Sequence, residues 1–556
     1  MPGALGSTMA AGRTRLRALL PSRADLVAMR RQPRRDVFAG LTVAVVALPL
    51  ALGFGVSSGL GAAAGLATAI VAGILAALFG GSNLQVSGPT GAMTVVLVPI
   101  VHQFGPGGVL TVGLLAGLAL IGLALARAGR FARYVPAPVV EGFTVGIAAV
   151  IFLQQVPAAL GVHVSHRDHV IMGAWHAIHG PPHWAGTGLA VLVVVVMLVG
   201  GRWRPGVPFS LLAVGAATLA AQLGGLDVAR IGALPATLPA PSLAFLDPAA
   251  VPALLTAAGA VAALAALESL LSATVADGMT VGPRHDPDRE LFGQGIANLV
   301  TPLFGGLPNS GVIARTALNV RFGARSRLAA LTHAAALALV MLVAAPLVAH
   351  IPLAALAGVL LATAIRMVEV GSLAILARST RSDALIMALT AVATLALDLV
   401  SAVGIGLVVA CLLAISAIAR AVRVEQVPLD IPDLLLAEHI ATYSLDGPLF
   451  FAAAHRFLAE LSEVPDVRVL ILHLSRVSTV DGTGARMLRD AIERLERQGI
   501  AVHVSGIAAA HSRALEAIGV LDRLRTEGRV HDTTAEAVAA ARGYLHRAGM
   551  LDLDAA

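Results

Sequence analysis

The chain has 556 residues, 57% of them apolar and only 13% charged, with 57 glycines besides, and its mean hydropathy is +0.83. Soluble domains reach roughly 45–50% apolar residues only when glycine is counted. The composition therefore excludes a soluble multidomain enzyme, a disordered chain and a basic nucleic-acid binder, and leaves a polytopic α-helical membrane protein. All 39 basic residues behind the net charge of +6 are arginines. They fall in short clusters between apolar runs, the pattern of membrane topology and not of a nucleic-acid face. Without lysine there is no Walker-type phosphate loop, and the lone Cys411 gives no disulfide framework.

Residues 1–36 carry arginines at 13, 15, 17, 23, 30, 31, 34 and 35. The first apolar run extends from Val37 to about Val56, longer than a secretory signal core and long enough to span a bilayer. It predicts an uncleaved first span with a cytoplasmic N-terminus. Further runs lie near 62–80, 90–101, 108–126, 138–157, 186–200, 207–223, 250–276, 291–304, 311–320, 328–348, 353–368, 383–397 and 399–419, about fourteen spans in all. Loops after even-numbered spans should then be cytoplasmic and arginine-rich. They hold twelve arginines, against Arg167 and Arg230 alone after odd-numbered spans. This places the remainder of the chain in the cytoplasm as well.

The pattern predicts a cytoplasmic segment over 1–36, a transmembrane domain over 37–420, a linker over 421–435 and a small α/β domain over 436–548. In that last part, strands are predicted at Ile440–Leu445, Val467–Leu474 and Ile500–Gly506, with helices at Gly484–Gln498 and near 508–518 and 534–546.

Two segments are unusual for a membrane interior. Gln85-Val86-Ser87-Gly88-Pro89-Thr90-Gly91 opens the third span, and Gly305-Gly306-Leu307-Pro308-Asn309-Ser310-Gly311-Val312 opens the tenth. Each has a short extended stretch, a Gly/Pro break, a small hydroxyl residue and then a helix too short to cross alone. They stand third in each half of a seven-plus-seven arrangement, which points to an inverted-repeat transporter. Irregular backbone at that depth must line a cavity or be buried in protein. Two half-helix N-termini with unpaired N–H groups make a site for a small anion. The candidate binding residues are Thr90, Gly91, Asn309, Ser310, Gly311, Val312 and Arg315.

Ionisable groups inside spans are functional candidates by default. Glu268 lies in mid-helix, with Ser272 one turn on along the same face. The pair suits a proton carrier or, alternatively, a Na⁺ site. Arg315 sits early in the tenth helix, where a cation opposes the helix dipole, so a role with the anion or with a carboxylate such as Glu268 is expected. Glu141 and Asp398, nearer span ends, read as structural.

These residues resemble the SulP anion permeases, the sulfate-permease group, over about residues 36–545. The resemblance rests on the opening Arg35-Asp36-Val37-Phe38-Ala39-Gly40-Leu41-Thr42-Val43 and on Val86-Ser87-Gly88-Pro89-Thr90. It rests also on Glu268-Ser269-Leu270-Leu271-Ser272 with Asp277-Gly278-Met279, and on Ile313-Ala314-Arg315-Thr316. It implies core and gate domains, elevator-type alternating access, a C-terminal STAS domain and a homodimer. It puts the anion between Thr90 and Gly91 on one side and Ser310, Gly311 and Val312 on the other, with Glu268 and Ser272 at the coupling-ion position. Leu50 after Pro49, where many sulfate-type members carry Gln, resembles bacterial members that move bicarbonate or C4-dicarboxylates. Sodium-coupled bicarbonate members tend to carry Asp in place of Glu268, which favours proton coupling. Asp481-Gly482-Thr483-Gly484 has glycine where phosphorylatable relatives have the acceptor serine, so no phosphoswitch of that type is expected.

The expected function is thus secondary active transport of bicarbonate, a C4-dicarboxylate or sulfate, H⁺-coupled through Glu268, with Na⁺ symport or exchange as the alternative. A membrane sensor signalling through the STAS domain is the rival of another class. No enzyme activity, cofactor or nucleic-acid partner is expected; the partners are the anion, the bilayer, a second copy and a cytoplasmic ligand of the STAS domain. Gly55-Val56-Ser57-Ser58-Gly59 matches a nucleophile-elbow pattern but lacks the strand that motif requires. His163, His166, His169, His176, His179 and His183 match no zinc spacing and read as a polar external loop.

Overall fold

The computed structural model describes residues 19–162, 170–204, 207–282, 284–397, 399–428, 438–452 and 467–548. The chain divides into two compact units, Met1–Leu407 and Val408–Ala556.

The first unit is helical because nearly every run of residues long enough to cross a bilayer must bond its backbone internally. A short amphipathic helix, α1 (Arg23–Arg31), precedes α2 (Pro33–Ser57) and α3 (Ala62–Phe79). Strand β1 (Ser87–Gly88) then leads into α4 (Gly91–Leu125), which covers two expected spans. These are separated at Gly105, whose φ of 69° and ψ of −175° break the helix before Pro106. There follow α5 (Ala137–Leu160), α6 (Val170–His179), α7 (Trp184–Trp203), α8 (Phe209–Leu223), α9 (Val251–Met279) and α10 (Pro287–Val300). Strand β2 (Ser310–Gly311) opens α11 (Ile313–Arg321), and α12 (Leu328–Val348), α13 (Leu353–Met367), α14 (Val370–Ser379), α15 (Arg381–Ala396) and α16 (Leu399–Arg420) complete the set. All fourteen expected runs are helical or open a helix. The short α6 and α14, absent from the sequence reading, follow the fifth and twelfth spans, at matching places in the two halves.

The packing repeats itself with a shift of seven spans. The first span packs on the eleventh (α2 on α12) as the eighth (α9) packs on α4, which holds the third and fourth; the fifth packs on the thirteenth (α5 on α15) as the twelfth packs on the sixth (α13 on α7). Three contacts map onto themselves: α3 with α10, α5 with α13, and β1 with β2. Seven helices, α2–α4 and α9–α12, form the core half, and α5–α8 with α13–α16 form the gate half. The glycines of the elbow-like sequence serve packing: a Cβ on Gly65 would stand 2.9 Å from the Gly55 Cα, so α2 and α3 meet backbone to backbone.

In the second unit, a five-stranded sheet runs in the order β3 (Arg423–Gln426), β4 (Ile440–Leu449), β5 (Val469–Val480), β6 (Ala501–Ser505), β7 (Val530–His531). β3 is antiparallel to β4 and the rest are parallel. Alternation sends Leu470, Leu472, Val502 and Val504 to one face, under α17 (Gly482–Arg497), α18 (Ala509–Ala517) and α19 (Val520–Thr526). Val469, Ile471 and Ala501 go to the other, under α20 (Thr534–Arg547). Residues 423–426, expected as linker, are an edge strand, because a long-range pairing decides them and local pattern does not. Asp481 caps α17, accepting from Gly484 N at 2.7 Å, and leaves Thr483 exposed.

Candidate functional site

The two interrupted segments meet. Ser87 pairs with Gly311 and Gly88 with Ser310 in an antiparallel ladder, and Val312 N donates to Val86 O at 2.9 Å. This crossing sets the N-termini of α4 and α11 at one place. Thr90 caps α4, its Oγ1 accepting from Met93 N at 3.2 Å. Among the described residues, the N–H groups of Gly91 and Ala92 in α4, and of Ile313, Ala314 and Arg315 in α11, have no protein acceptor. These are the groups a helix end offers to an anion. Ile313 and Ala314 are exposed, whereas Gly91 is buried.

A stripe of polar side chains on α10 holds the crossing in place. Glu290, Gln294 and Asn298 recur at i, i+4 and i+8 and so share one face. Asn298 is 0% exposed; its Oδ1 accepts from Asn309 N at 2.8 Å and its Nδ2 donates to Asn309 O at 2.9 Å. Gln294 Nε2 donates to Ser87 Oγ at 2.7 Å. Glu290 accepts from the backbone N–H of Gly81 at 2.9 Å and of Ser82 at 3.0 Å, and from Gln85 Nε2 at 2.8 Å. Asp36 plays the same part on α2, accepting from Arg325 N at 2.6 Å, Ser326 N at 3.1 Å and Ser326 Oγ at 2.6 Å. The α10 stripe went unread in the sequence although its four-residue spacing was there to find.

Helix α9 supplies three polar groups with three different tasks. Ser269 Oγ accepts from Gly311 N at 2.9 Å. Ser272 Oγ donates to Thr316 Oγ1 at 2.9 Å, and Thr316 Oγ1 in turn accepts from Val86 N at 3.0 Å. Ser272 shares the face of Glu268, as expected, and is bonded to Thr316 and not to the carboxylate. Glu268 Oε2 instead accepts from Thr90 Oγ1 at 3.0 Å and from Ser310 Oγ. One carboxylate oxygen thus joins the cap of one half-helix to the strand that opens the other.

Arg315 is 1% exposed. Its Nη2 makes a long contact of 3.5 Å to Pro89 O, while Nε and Nη1 have no partner. The guanidinium lies against β1, so close to Gly88 that a Cβ there would stand 2.8 Å from Nη1. Among the described residues no carboxylate lies within ion-pair distance of it, so of its two expected roles, with the anion or with a carboxylate such as Glu268, the ion pair is not formed here. Asn309 is fixed through its peptide, and its side-chain amide is buried without a partner. Glu141 accepts from Ser372 Oγ at 2.9 Å, which ties α5 to α14. Asp398 lies outside the described residues, as do His163, His166 and His169; His183 caps α7.

The sequence model of the sulfate permease family matches residues 34–390, and that of the STAS domain matches 432–537. The chain belongs to the sulfate permease family. It is 35% identical over 503 residues to a Bacillus subtilis protein named "Putative sulfate transporter YvdB", covering 88% of this chain and 94% of that one. To the "Bicarbonate transporter BicA" of Synechocystis it is 32% identical over 528 residues, covering 90% and 93%. The structure of the murine anion transporter Slc26a9 in its inward-facing state superposes with a TM-score of 0.83 at 17% identity, over 95% of this chain and 94% of that one. The sulfate permease homologue described here is therefore a multi-pass anion transporter with a C-terminal STAS domain, of a family whose members are transporters and not enzymes and need no cofactor.

Proposed function

We propose that this transporter moves a small anion by secondary active, elevator-type alternating access, coupled to H⁺ through Glu268. The observation that carries the reading is the position of Glu268, whose carboxylate bonds the hydroxyls of Thr90 and Ser310 at the meeting of the two half-helices. Five free backbone N–H groups flank that point, with Thr90, Gly91, Asn309, Ser310, Gly311, Val312 and Arg315 as the substrate contacts. Apart from the buried guanidinium of Arg315, the site is made of dipole ends and hydroxyls, which suits a carrier that must also release. Ser272, one turn from Glu268 and bonded to Thr316, supports the binding frame and stands with Glu268 at the coupling-ion position. The similarity to both a bicarbonate and a sulfate transporter supports bicarbonate or sulfate as cargo, and a C4-dicarboxylate is kept as the further candidate that Leu50 suggests. The arginine distribution supports cytoplasmic termini in the cell membrane, and the family supports a homodimer with the STAS domain, 436–548, as a docking or regulatory module.

The test is radiolabelled uptake of bicarbonate, sulfate and fumarate into proteoliposomes under an imposed pH or Na⁺ gradient. Uptake of one anion driven by the pH gradient is expected, with Glu268→Gln losing concentrative uptake and retaining exchange. Uptake that needs Na⁺, or full concentrative uptake by Glu268→Gln, overturns the coupling. Binding without flux favours a sensor.

A further inference from the structure

We infer that ionised Glu268 is a tethered anion that takes the substrate's own hydroxyl donors, so that proton loading and anion binding at this site are a single event. The inference rests on the proton-coupled reading above. A hydroxyl has one proton to donate and two lone pairs to offer. Thr90 Oγ1 accepts from Met93 N at 3.2 Å and spends its proton on Glu268 Oε2 at 3.0 Å. Ser310 Oγ spends its proton on the same oxygen. While the carboxylate is ionised, neither hydroxyl can donate to an anion between the half-helices, and the carboxylate repels that anion as well.

Protonation reverses one of these bonds. The carboxyl O–H donates into the lone pair that Thr90 Oγ1 or Ser310 Oγ still has free, so that hydroxyl's proton is released toward a new acceptor, and the other hydroxyl is left on a neutral oxygen, a weaker acceptor that an anion can outcompete. The free N–H groups at the two half-helix ends then act together with hydroxyl donors in place of none.

No fixed cation does the proton's work. The charged or titratable groups on elements packed against α9 are Arg315 and Arg321 on α11, Asp288, Arg289 and Glu290 on α10, His102 on α4, and Arg130, Arg133 and Tyr134 in the 3-10 turn Ala128–Tyr134. Of those whose side chains are described, none lies within ion-pair distance of Glu268. On α9 itself, Asp277 is bonded to His285 at 2.7 Å.

The experiment measures binding of sulfate, and of bicarbonate at fixed bicarbonate concentration, to the purified full chain in potassium salts as pH is varied. In the wild type, affinity is expected to fall about ten-fold per pH unit above the pH at which Glu268 ionises. In weakly buffered solution about one proton should be taken up per anion bound, a reading that needs no variant. Glu268→Gln, whose amide N–H imitates the protonated carboxyl, should hold the wild type's low-pH affinity at every pH. A flat wild-type profile, the same slope in Glu268→Gln, or no saturable binding of either probe by Glu268→Gln overturns the inference. Proton-driven uptake together with pH-independent affinity overturns the inference alone and leaves the coupling standing. Sodium-driven uptake removes the coupling reading itself.

Discussion

At the scale of single residues, the site depends on side chains that touch no anion. Asn298 grips both polar edges of the Asn309 peptide, and nothing else in the buried surroundings bonds Asn309 N. Truncation to alanine strands a buried donor and leaves the carbonyl under-satisfied. Each stranded group costs about 1–3 kcal/mol, so Asn298→Ala should lose roughly 2–4 kcal/mol of stability and loosen β2. The expected result is a lower thermal midpoint in detergent together with at least a ten-fold loss of uptake. Asn298→Asp, which still accepts from Asn309 N, should fall between the two. An unchanged midpoint for Asn298→Ala would show that the peptide finds another partner. Residue-level inference from spacing also has a clear limit here. Glu268 and Ser272 do share a face, as i and i+4 residues must, yet the serine bonds Thr316 from the next element. Helix periodicity gives the face, and the neighbour decides the partner.

At the scale of elements, the half-helices exist because the chain is interrupted where two backbones must cross. Gly311 stands in that crossing. A Cβ there would lie 3.0 Å from the Ser269 Cα and would collide with the Gln85 amide. Backbone cannot step aside, so Gly311→Ala should cost on the order of 1–3 kcal/mol and misplace Ser310, with uptake reduced ten-fold or more. Gly278 on α9 is the control: a Cβ there meets nothing within 4 Å. Gly278→Ala in a helix should be neutral or stabilise by roughly 0.5–1 kcal/mol. Equal thermal shifts for the two variants would refute the crossing as the cause. The interrupted segments could be read from the sequence because Gly, Pro and small hydroxyl residues are costly in a span and so stand out. The long spans could be read because the bilayer demands apolar length. What escaped was short or paired at a distance: α6 and α14 are ten residues each, and β3, α19 and β7 take their form from neighbours far along the chain.

At the scale of the whole molecule, the two units answer acid in opposite senses. On the proposed coupling, proton loading at Glu268 readies the membrane site for its anion, while histidines of the STAS unit make that unit lose stability in acid. His503 is 3% exposed and stacks on His531, their rings 5.2 Å apart and Nδ1 of one 3.0 Å from Nε2 of the other. Burial first, then the neighbouring His531 and Arg529, push His503 down from 6.5 to about 4. Burial lowers His473 and His531 as well. A histidine held neutral in the folded state stabilises fully above the unfolded value near 6.5, and the contribution drains away as pH falls toward 4. For His503 that is about 3 kcal/mol at roughly 1.4 kcal/mol per pH unit. The loss should appear where these rings sit, on β5, β6 and β7 beside the first turn of α20. Hydrogen exchange of the full chain should therefore show β6 and α20 opening as pH is lowered from 7 to 5, with the membrane helices unchanged. His503→Gln keeps a polar group without the titration and should remove much of that acid sensitivity. An identical pH profile in wild type and variant would place the titrating group elsewhere. Because the two responses run in opposite directions, transport measured in acid reports their combination, and the soluble unit's loosening must be measured alongside flux before a fall in rate below pH 6 is assigned to the anion site.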